Sequence, residues 1–419
     1  MTSPPVDPRP EMHVSGAGPS ALGRLIGMPS ADFAADVWSR APLLTRAAEL
    51  PRDFTDLFGA DAVDELVSRR GLRTPFARMA RDGATLADRS FTLGGGVGAG
   101  IADQLSEDRI LRELAAGATL VLQALHRTWA PIQDFAAALA DDLGHPVQVN
   151  AYVTPPQNQG FADHYDVHDV FVLQVAGEKR WRLRPPVIEA PLRDQPWEQH
   201  RDEVARAAEA EPLLEETLAP GDCLYLPRGW LHSATALGGT SIHLTIGVHA
   251  WTRRHLVDAL LARIDSRLAE DVEARRSLPI APGRSGSSTL DTGADAELVH
   301  ELVEKALQDV GADELADSMR TLVRQAQRAE PLGVLAQSEQ ASDDDARWRA
   351  RRHLAAHWEG EDEQRTLVSR VGRLTVRADQ RDAVAEVLDG IRDPAELDHE
   401  LRRRLALAGL LVPEDVRDA

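Results

Sequence analysis

The segment NAYVTPPQNQGFADHYDVHDVFVLQVAGEKRWRLR, residues 150–184, decides how the fold is interpreted. It contains runs rich in β-branched and aromatic residues, a composition that favours extended strands. A hairpin turn is predicted between two of these runs, at Val175-Ala176-Gly177-Glu178-Lys179. The apolar run Cys223–Leu226, after a turn at Ala219–Asp222, adds a further strand. Short strands with regular turns from about residue 146 to 250 predict a small β-barrel or sandwich.

On both sides of this strand-rich part, the apolar spacing is mostly helical, and the predicted fold class is α+β. Helices are expected over most of 30–145, through 294–328 and around 343–358. The last segment predicts a strand at 374–376 and helices at 381–388 and 394–407. We expect four parts, which are a disordered N-terminus (1–20), a core domain with a helical N-terminal part (21–252), a helical domain (253–360) and a C-terminal module (361–419). A linker rich in Pro, Gly and Ser, Pro279–Gly293, interrupts the helical domain.

The chain carries 67 acidic and 47 basic residues, a formal net charge of -20. This balance disfavours a broad electrostatic grip on nucleic acid or on anionic membranes, because both need clustered positive charge. An acidic protein of this kind could instead attract a basic partner. The single cysteine, Cys223, excludes an intrachain disulfide framework. No long apolar segment or secretory signal is apparent, so a cytoplasmic location is expected.

The candidate chemistry lies in His164-Tyr165-Asp166 and in His232, which follows 66 residues after Asp166. In a strand, residues i and i+2 point to the same face, so His164 and Asp166 would converge on one point. Two imidazoles and one carboxylate on one face leave coordination positions open, as in the facial triad of non-haem iron(II) oxygenases. The alternative interpretation is that the histidines are ordinary core residues.

Residues 150–184 and 221–249 resemble the JmjC ribosomal oxygenases, hydroxylases of ribosomal proteins, and the resemblance covers about residues 90–250. It implies a double-stranded β-helix (cupin/JmjC) core, with iron bound by His164, Asp166 and His232. More loosely, the later helices resemble the family's dimerisation domain, and the C-terminal module resembles its winged-helix-like domain. The resemblance therefore implies a homodimer.

The same resemblance assigns Lys179 to the distal carboxylate of the cosubstrate 2-oxoglutarate, with Asn150 and Thr245 as further pocket residues. Where some relatives have serine, this chain has Gly247. Composition supports Lys179 independently, because Lys179 and Lys305 are the two lysines among 47 basic residues. A compact ammonium is a suitable point-charge partner for a carboxylate. The alternative is a solvated lysine in a turn.

The resemblance implies an Fe(II)- and 2-oxoglutarate-dependent dioxygenase that uses O2 to hydroxylate an arginine or histidine of a ribosomal protein. Two alternatives stay open: a hydroxylase of another protein or peptide, and a metal-binding cupin regulator without turnover. For a basic substrate, an acidic rim around the mouth of the barrel is expected. His168, which shares a strand face with Asp166, is expected to be buried beside the site rather than to bind the metal. The His353/His357 pair is expected to lie on a helix face.

Overall fold

The computed structural model describes residues 20–81, 83–156, 158, 162–278, 293–341, 343, 345–360 and 363–414. The expected disordered N-terminus (1–20) lies outside these ranges except for residue 20. The linker Pro279–Gly293 lies outside them except for Gly293. The chain divides into two compact units, one formed by Met1–His249 with Arg328–Ala419 and the other by Ala250–Gln327. Within the described residues, every helix is too short or too polar to cross a bilayer.

The first unit is built on a nine-stranded antiparallel sheet. Its strands are β1 (Leu43–Thr45), β2 (Ala77–Arg81), β3 (Ala84–Thr85), β6 (Thr119–Leu122), β7 (Val147–Thr154), β8 (Asp169–Arg184), β9 (Leu214–Leu218), β10 (Cys223–Leu226) and β11 (Leu231–Val248); β4 (Thr92–Leu93) and β5 (Gln104–Leu105) form a separate pair. The strand order in the sheet is β1-β10-β8-β11-β7-β6-β2-β3, and β9 pairs with β8. This is the antiparallel JmjC/cupin core that the sequence predicts.

The strand β8 bends at Gly177 without ending there, so the predicted hairpin turn over Val175–Lys179 is wrong. Gly177 has a φ of +63°, and a Cβ at this position would clash with the carbonyl of Thr240. The register of β11 shifts opposite the bend, between Leu237 and Ile242. The first part of β8 pairs with β10 and the last part with β9. One long strand therefore contributes to two walls of the barrel.

Helices of the N-terminal region cover one face of this sheet. They are α1 (Ser30–Asp32), continued by a π-helical turn Phe33–Val37, α2 (Ala60–Ser68), α3 (Glu107–Ala115), α4 (Leu125–Thr128) and α5 (Ala130–Leu143). Phe33, Phe54 and Leu139 pack with Phe171 of β8 in the main hydrophobic core. The expectation that residues 30–145 are mostly helical is wrong in part, since β1 to β6 lie there. These strands are short, and β6 is buried, so it shows no period-two alternation.

The segment between β8 and β9 carries α6 (Arg201–Ala208), preceded by a 3-10 turn at Trp197–His200. Val204 of α6 packs with Tyr165 and Leu231 in a small hydrophobic cluster. This cluster holds the segment between β8 and β9, called the insertion below, next to the start of β11. The sequence contained no strong signal for this placement.

The rest of the first unit, from Arg328 onward, has its own hydrophobic core. Its elements are α10 (Val334–Gln340), β12 (Trp348–Ala350), β13 (His357–Glu359), β14 (Gln364–Ser369), β15 (Gly372–Arg377), α11 (Arg381–Leu388), α12 (His399–Leu407) and β16 (Leu411–Pro413). The strand and two helices predicted beyond residue 362 are present. A helix around 343–358 is wrong, because β12 pairs there with β16. The helix face expected for His353 and His357 is wrong too, since His353 has a φ of +60° and His357 begins β13.

The described residues of the second unit form three helices, α7 (Arg253–Glu270), α8 (Gly293–Asp309) and α9 (Ala312–Ala326). An ion pair of 2.7 Å between Arg267 and Glu314 joins α7 to α9. Ile264 and Ala306 are the buried hydrophobic side chains among its described residues. Many of its other apolar side chains stay exposed.

Candidate functional site

His164, Asp166 and His232 lie together at the inner wall of the barrel. One ligand atom from each of the three side chains lies within 4.8 Å of the other two. Nε2 of His232 is 3.8 Å from Oδ2 of Asp166, and the two imidazole ring centroids are 4.4 Å apart. Within the described part of the chain, this is the one group of three or more side chains arranged to hold a metal ion.

Backbone pairing brings the two distant parts of the triad together. His164 and His232 form an isolated antiparallel bridge, in which each N–H donates to the other's carbonyl at 3.1 and 2.8 Å. The intervening Tyr165 points away and is buried, and its hydroxyl donates to the carbonyl of Gln195. The segment is therefore not a regular strand, but the expected same-face placement of His164 and Asp166 is observed.

The protonation states of the three side chains suit a divalent metal. The Nδ1 atoms of His164 and His232 lie 2.7 and 3.0 Å from the carbonyl oxygens of Ala162 and Trp230. Carbonyls only accept hydrogen bonds, so each Nδ1 carries the proton and each Nε2 carries the lone pair that binds metal. Burial and the neighbouring His164 lower the pKa of His232 to about 4, which keeps its ring neutral near pH 7.

Asp166 supplies the anionic oxygen. Desolvation alone would raise the pKa of its carboxyl, but the nearby imidazoles of His168, His232 and His164 outweigh that effect and hold the pKa below its usual value. The side chain is thus a carboxylate at neutral pH. Two imidazole nitrogens and one carboxylate oxygen form the donor set of a facial triad, and the residues present fit an iron(II) ion.

The triad opens into a cavity of about 610 Å³. Val170, Val172 and Trp181 of β8 form an apolar wall, and Tyr152 of β7 lies in the same lining. Trp181 also packs beside the ring of His232, at 5.9 Å between centroids, and is itself buried at 5% exposure.

Lys179 lies in this cavity and is 4% exposed. Its Nζ donates to Oγ1 of Thr154 at 3.2 Å and lies 3.5 Å from Nδ1 of His243. No carboxylate of the described residues forms an ion pair with it. Burial lowers the pKa of the Lys179 ammonium to about 7. A buried ammonium whose hydrogen-bond partners are neutral would be stabilised by a nearby anion. An organic carboxylate that enters the cavity would supply that negative charge.

The two remaining candidates differ in position. Thr245 of β11 lies in the cavity lining. Asn150 is its partner in the β7–β11 register, but its side chain does not reach the lining. Instead, Oδ1 of Asn150 accepts from the N–H of Ala124 at 3.0 Å. The cosubstrate role of both residues stays a prediction.

His168 lies beside the site, as expected, rather than among the ligands. Its ring contacts the ring of His249 at 5.2 Å, and its Cε1 lies 3.0 Å from where a Cβ on Gly247 would stand. Gln148 approaches the same point at 3.2 Å. A serine at 247 would therefore require these neighbours to shift.

Several residues of the site were missed from the sequence. Tyr152 lines the cavity, and Thr154 accepts a hydrogen bond from Lys179. The two are two apart on β7, so strand alternation could have placed both on the same face. Arg78 of β2 also lines the cavity, but its region was expected to be helical. Trp197 was missed because it belongs to the insertion after β8, whose position depends on tertiary packing.

The charge of the cavity wall is mixed. Its described acidic residues are Asp166 and Glu198, and its basic residues are Arg78, Lys179 and Arg201. The expected acidic rim around the mouth of the barrel stays a prediction, since the described wall of the cavity has no excess of acidic residues. Attraction of a basic partner would depend on the wider charge of -20 instead.

Comparison with known proteins agrees with this site. The family model of the JmjC domain matches residues 126–256, which include all three triad residues and Lys179. Human ribosomal oxygenase 1 is 37% identical over 170 residues, covering 39% of this chain and 26% of the relative. The Gallus gallus ribosomal oxygenase 1 is 30% identical over 320 residues, covering 71% of this chain and 50% of the relative. The chain thus spans half or less of the length of these relatives.

A solved structure of Escherichia coli YcfD, a ribosomal oxygenase in complex with cobalt and 2-oxoglutarate, aligns with a TM-score of 0.54. The sequence identity is 16%, and the alignment covers 94% of this chain and 99% of YcfD. At this identity the likeness concerns the fold. The resemblance drawn from the sequence is confirmed: the chain carries a JmjC domain of the type found in the ribosomal oxygenases.

Proposed function

We propose that this protein is an Fe(II)- and 2-oxoglutarate-dependent oxygenase that hydroxylates a side chain of a protein. The observation that carries the proposal is the pairing of two features in one cavity. A His164–Asp166–His232 triad lies at its wall, and the buried ammonium of Lys179 lies further along the same lining without a carboxylate partner.

When bound, Fe(II) with 2-oxoglutarate and O2 would supply the oxidative decarboxylation of the oxo acid to succinate and CO2, with transfer of one oxygen atom to a C–H bond. The residues of the chain have orienting roles. His164 and His232 present their Nε2 atoms, and Asp166 supplies the negative charge. Lys179 would hold the distal carboxylate, and Thr154 fixes the direction of the ammonium. Val170, Val172 and Trp181 limit water in the cavity.

The affinity for 2-oxoglutarate should depend on pH through Lys179. Its pKa is about 7 in the unliganded protein, and a bound carboxylate raises the pKa by favouring the charged form. Above pH 7, binding of 2-oxoglutarate should therefore be coupled to the uptake of a proton by Lys179. The dissociation constant of 2-oxoglutarate should then rise by up to about tenfold for each pH unit above 7. Calorimetric titration of the Co(II)-loaded protein from pH 6 to 9 measures this slope.

Lys179→Arg is the control for this titration, because a guanidinium stays charged over the whole range. The slope between pH 7 and 9 should be absent in that variant. His232 does not confound the measurement, since its pKa of about 4 lies below the window. An affinity of the unmodified protein that stays constant from pH 6 to 9 would rule out this role of Lys179.

For the substrate, we propose an arginine or histidine of a basic ribosomal protein. The proposal is supported by the similarity to ribosomal oxygenases and by the net charge of -20. The cavity admits a side chain but not a folded domain, so the target residue must protrude from an extended loop.

A panel of intact ribosomal proteins and of their Arg- and His-containing peptides tests this substrate. We expect at least one member to gain the mass of one oxygen atom, in a reaction that requires Fe(II) and 2-oxoglutarate. Hydroxylation should slow between ionic strengths of about 0.01 and 0.15 M, because the Debye length falls from about 30 to 8 Å. Uncoupled 2-oxoglutarate turnover should change little. If only neutral or acidic peptides are hydroxylated, the ribosomal assignment fails while the oxygenase assignment stands.

The second candidate is a metal-binding cupin regulator without turnover. The cavity argues against it, because a binding protein that holds only a metal has no need of a buried ammonium there. Consumption of 2-oxoglutarate with release of succinate separates the two functions. A protein that binds metal but produces no succinate under any condition of the panel would be a regulator.

We further propose a homodimer formed through the helical region within 253–360. The second unit supports this, because several apolar side chains of α7 remain exposed, including Val257 at 43% and Leu261 at 53%. These two lie one turn apart on the same side of the helix. A partner helix would bury them.

Light scattering at micromolar concentration should therefore give twice the mass of the chain. Val257→Asp combined with Leu261→Asp should shift the protein to monomers, because each buried carboxylate would lack a partner. Leu111→Asp, at a position 66% exposed on α3 and outside 253–360, is the control and should remain dimeric. A monomeric unmodified protein would refute the dimer.

The C-terminal module (361–419) is proposed to be winged-helix-like, with a structural or protein-docking role. The β14–β15 hairpin beside α11 and α12 supports this arrangement. The remaining boundaries, 1–20, 21–252 and 253–360, and the cytoplasmic location stay predictions.

A further inference from the structure

The cavity is bordered by an edge of the main sheet that has no partner among the described residues. The strand β3 (Ala84–Thr85) stands last in the strand order and, within the same residues, pairs only with Ala80 and Arg81 of β2. The N–H of Leu86 donates to the carbonyl of Met79 at 2.8 Å. In an antiparallel pair the hydrogen-bonding residues alternate, so the N–H and C=O of the preceding Thr85 point away from β2.

This edge is accessible and lies at the mouth of the cavity. Gly83, Ala84 and Thr85 are all exposed, and all three line the same cavity as the metal triad. No hydrogen bond from the described residues occupies the outward backbone groups of Thr85. An extended chain could therefore pair with them directly.

The same cavity is also lined by residues of the insertion after β8. The ring of Trp197 lies 6.3 Å from the ring of His164, and the guanidinium of Arg201 lies over Trp197 at 4.9 Å. Trp197 and Glu198 belong to the cavity lining together with β3. The mouth of the cavity thus offers the backbone N–H and C=O of Thr85 for pairing with a peptide, and the ring of Trp197 for contact with a side chain.

We propose that an extended segment of the substrate protein adds to the edge of β3 as a further antiparallel or parallel strand. Its backbone bonds to the N–H and C=O of Thr85, and one side chain enters the cavity towards the triad. Main-chain pairing supplies affinity and position, while the cavity selects the side chain, as in other cases of strand addition. This inference rests on the proposed protein hydroxylation and adds how the substrate is held.

Hydrogen exchange of the full-length protein loaded with Co(II) and 2-oxoglutarate tests the edge directly. The probes are basic 12-residue peptides from ribosomal proteins, each with a central Arg or His. The amide of Thr85 should exchange at least several-fold more slowly when a probe binds. The amide of Leu86 already bonds to Met79 and should change less.

Variants at Thr85 separate its backbone from its side chain. Thr85→Pro removes the outward N–H, and proline is tolerated on an edge strand. It should raise the KM for a hydroxylated probe by roughly 3- to 10-fold, the effect of one amide hydrogen bond. Thr85→Val retains the N–H, so its KM should rise less than that of Thr85→Pro. Both variants should keep the same affinity for Co(II) and for 2-oxoglutarate.

The outcomes distinguish this inference from the proposed function. Protection of Thr85 without hydroxylation by the Fe(II) enzyme supports the docking edge and refutes the hydroxylase. Hydroxylation without protection overturns the edge and leaves the hydroxylase standing. If no probe protects Thr85 and no probe is hydroxylated, the docking of basic segments at β3 is overturned. An equal rise of KM in Thr85→Pro and Thr85→Val overturns the backbone role.

Discussion

Replacing Asp166 with alanine is expected to abolish turnover, because it removes the single anionic ligand of the metal triad. Loss of residues that merely orient a ligand already costs 10- to 100-fold in metal affinity or activity. Loss of the ligand itself should therefore lower the Co(II) affinity by at least about 100-fold. The unfolding midpoint should change little, since the carboxylate is only partly buried beside imidazoles.

The control for this substitution is Asp108→Ala, which removes an exposed carboxylate from α3. It should keep the metal affinity and the rate of 2-oxoglutarate consumption. Metal titration followed by spectroscopy reports on the site independently of turnover. An Asp166→Ala variant with full activity would refute the triad.

Replacing Lys179 with methionine is expected to have the largest effect on the cosubstrate. Methionine retains the length of the side chain and removes its charge. Truncating one partner of a buried charge pair costs about 2 to 5 kcal/mol. The dissociation constant of 2-oxoglutarate should thus rise roughly 30-fold to several thousand-fold. The metal affinity should be retained, because Lys179 does not contact the triad.

Stability provides a second measurement for this variant. Lys179 is buried with no counterion from the described residues, so Lys179→Met should keep or raise the unfolding midpoint. A loss of 2-oxoglutarate binding therefore cannot be attributed to unfolding. Lys305→Met removes the other lysine of the chain, on α8, and should leave 2-oxoglutarate binding unchanged. An unaltered dissociation constant in Lys179→Met would move the carboxylate anchor elsewhere.

The metal triad was predictable from the sequence because its chemistry depends on residue type and short spacing. The H-x-D spacing places His164 and Asp166 on one side when the backbone is extended, and the structure brings both side chains to one site. The distal His232 follows a turn-and-strand pattern within the family resemblance. The lysine was predictable because the chain otherwise uses arginine at its basic positions, apart from Lys305.

The helical expectations failed where strands are short or buried. The strand β6 has four buried residues and shows no alternation between polar and apolar side chains. The strand β12 is three residues long and exists through its pairing with β16, more than 60 positions away in the chain. A local pattern cannot identify a strand whose stability comes from a distant partner.

The sequence by itself thus indicated the three candidate metal-binding residues, the strand-rich core and the candidate anion partner, Lys179. Only the tertiary structure decided that this partner faces the cavity. Strict alternation from Val172 would turn Glu178 inward and Lys179 outward, but both Val172 and Lys179 line the cavity. The bend at Gly177, opposite the register shift in β11, reverses the alternation. Side-chain direction in a bent strand depends on the neighbouring strand, and that neighbour lies far away in the sequence.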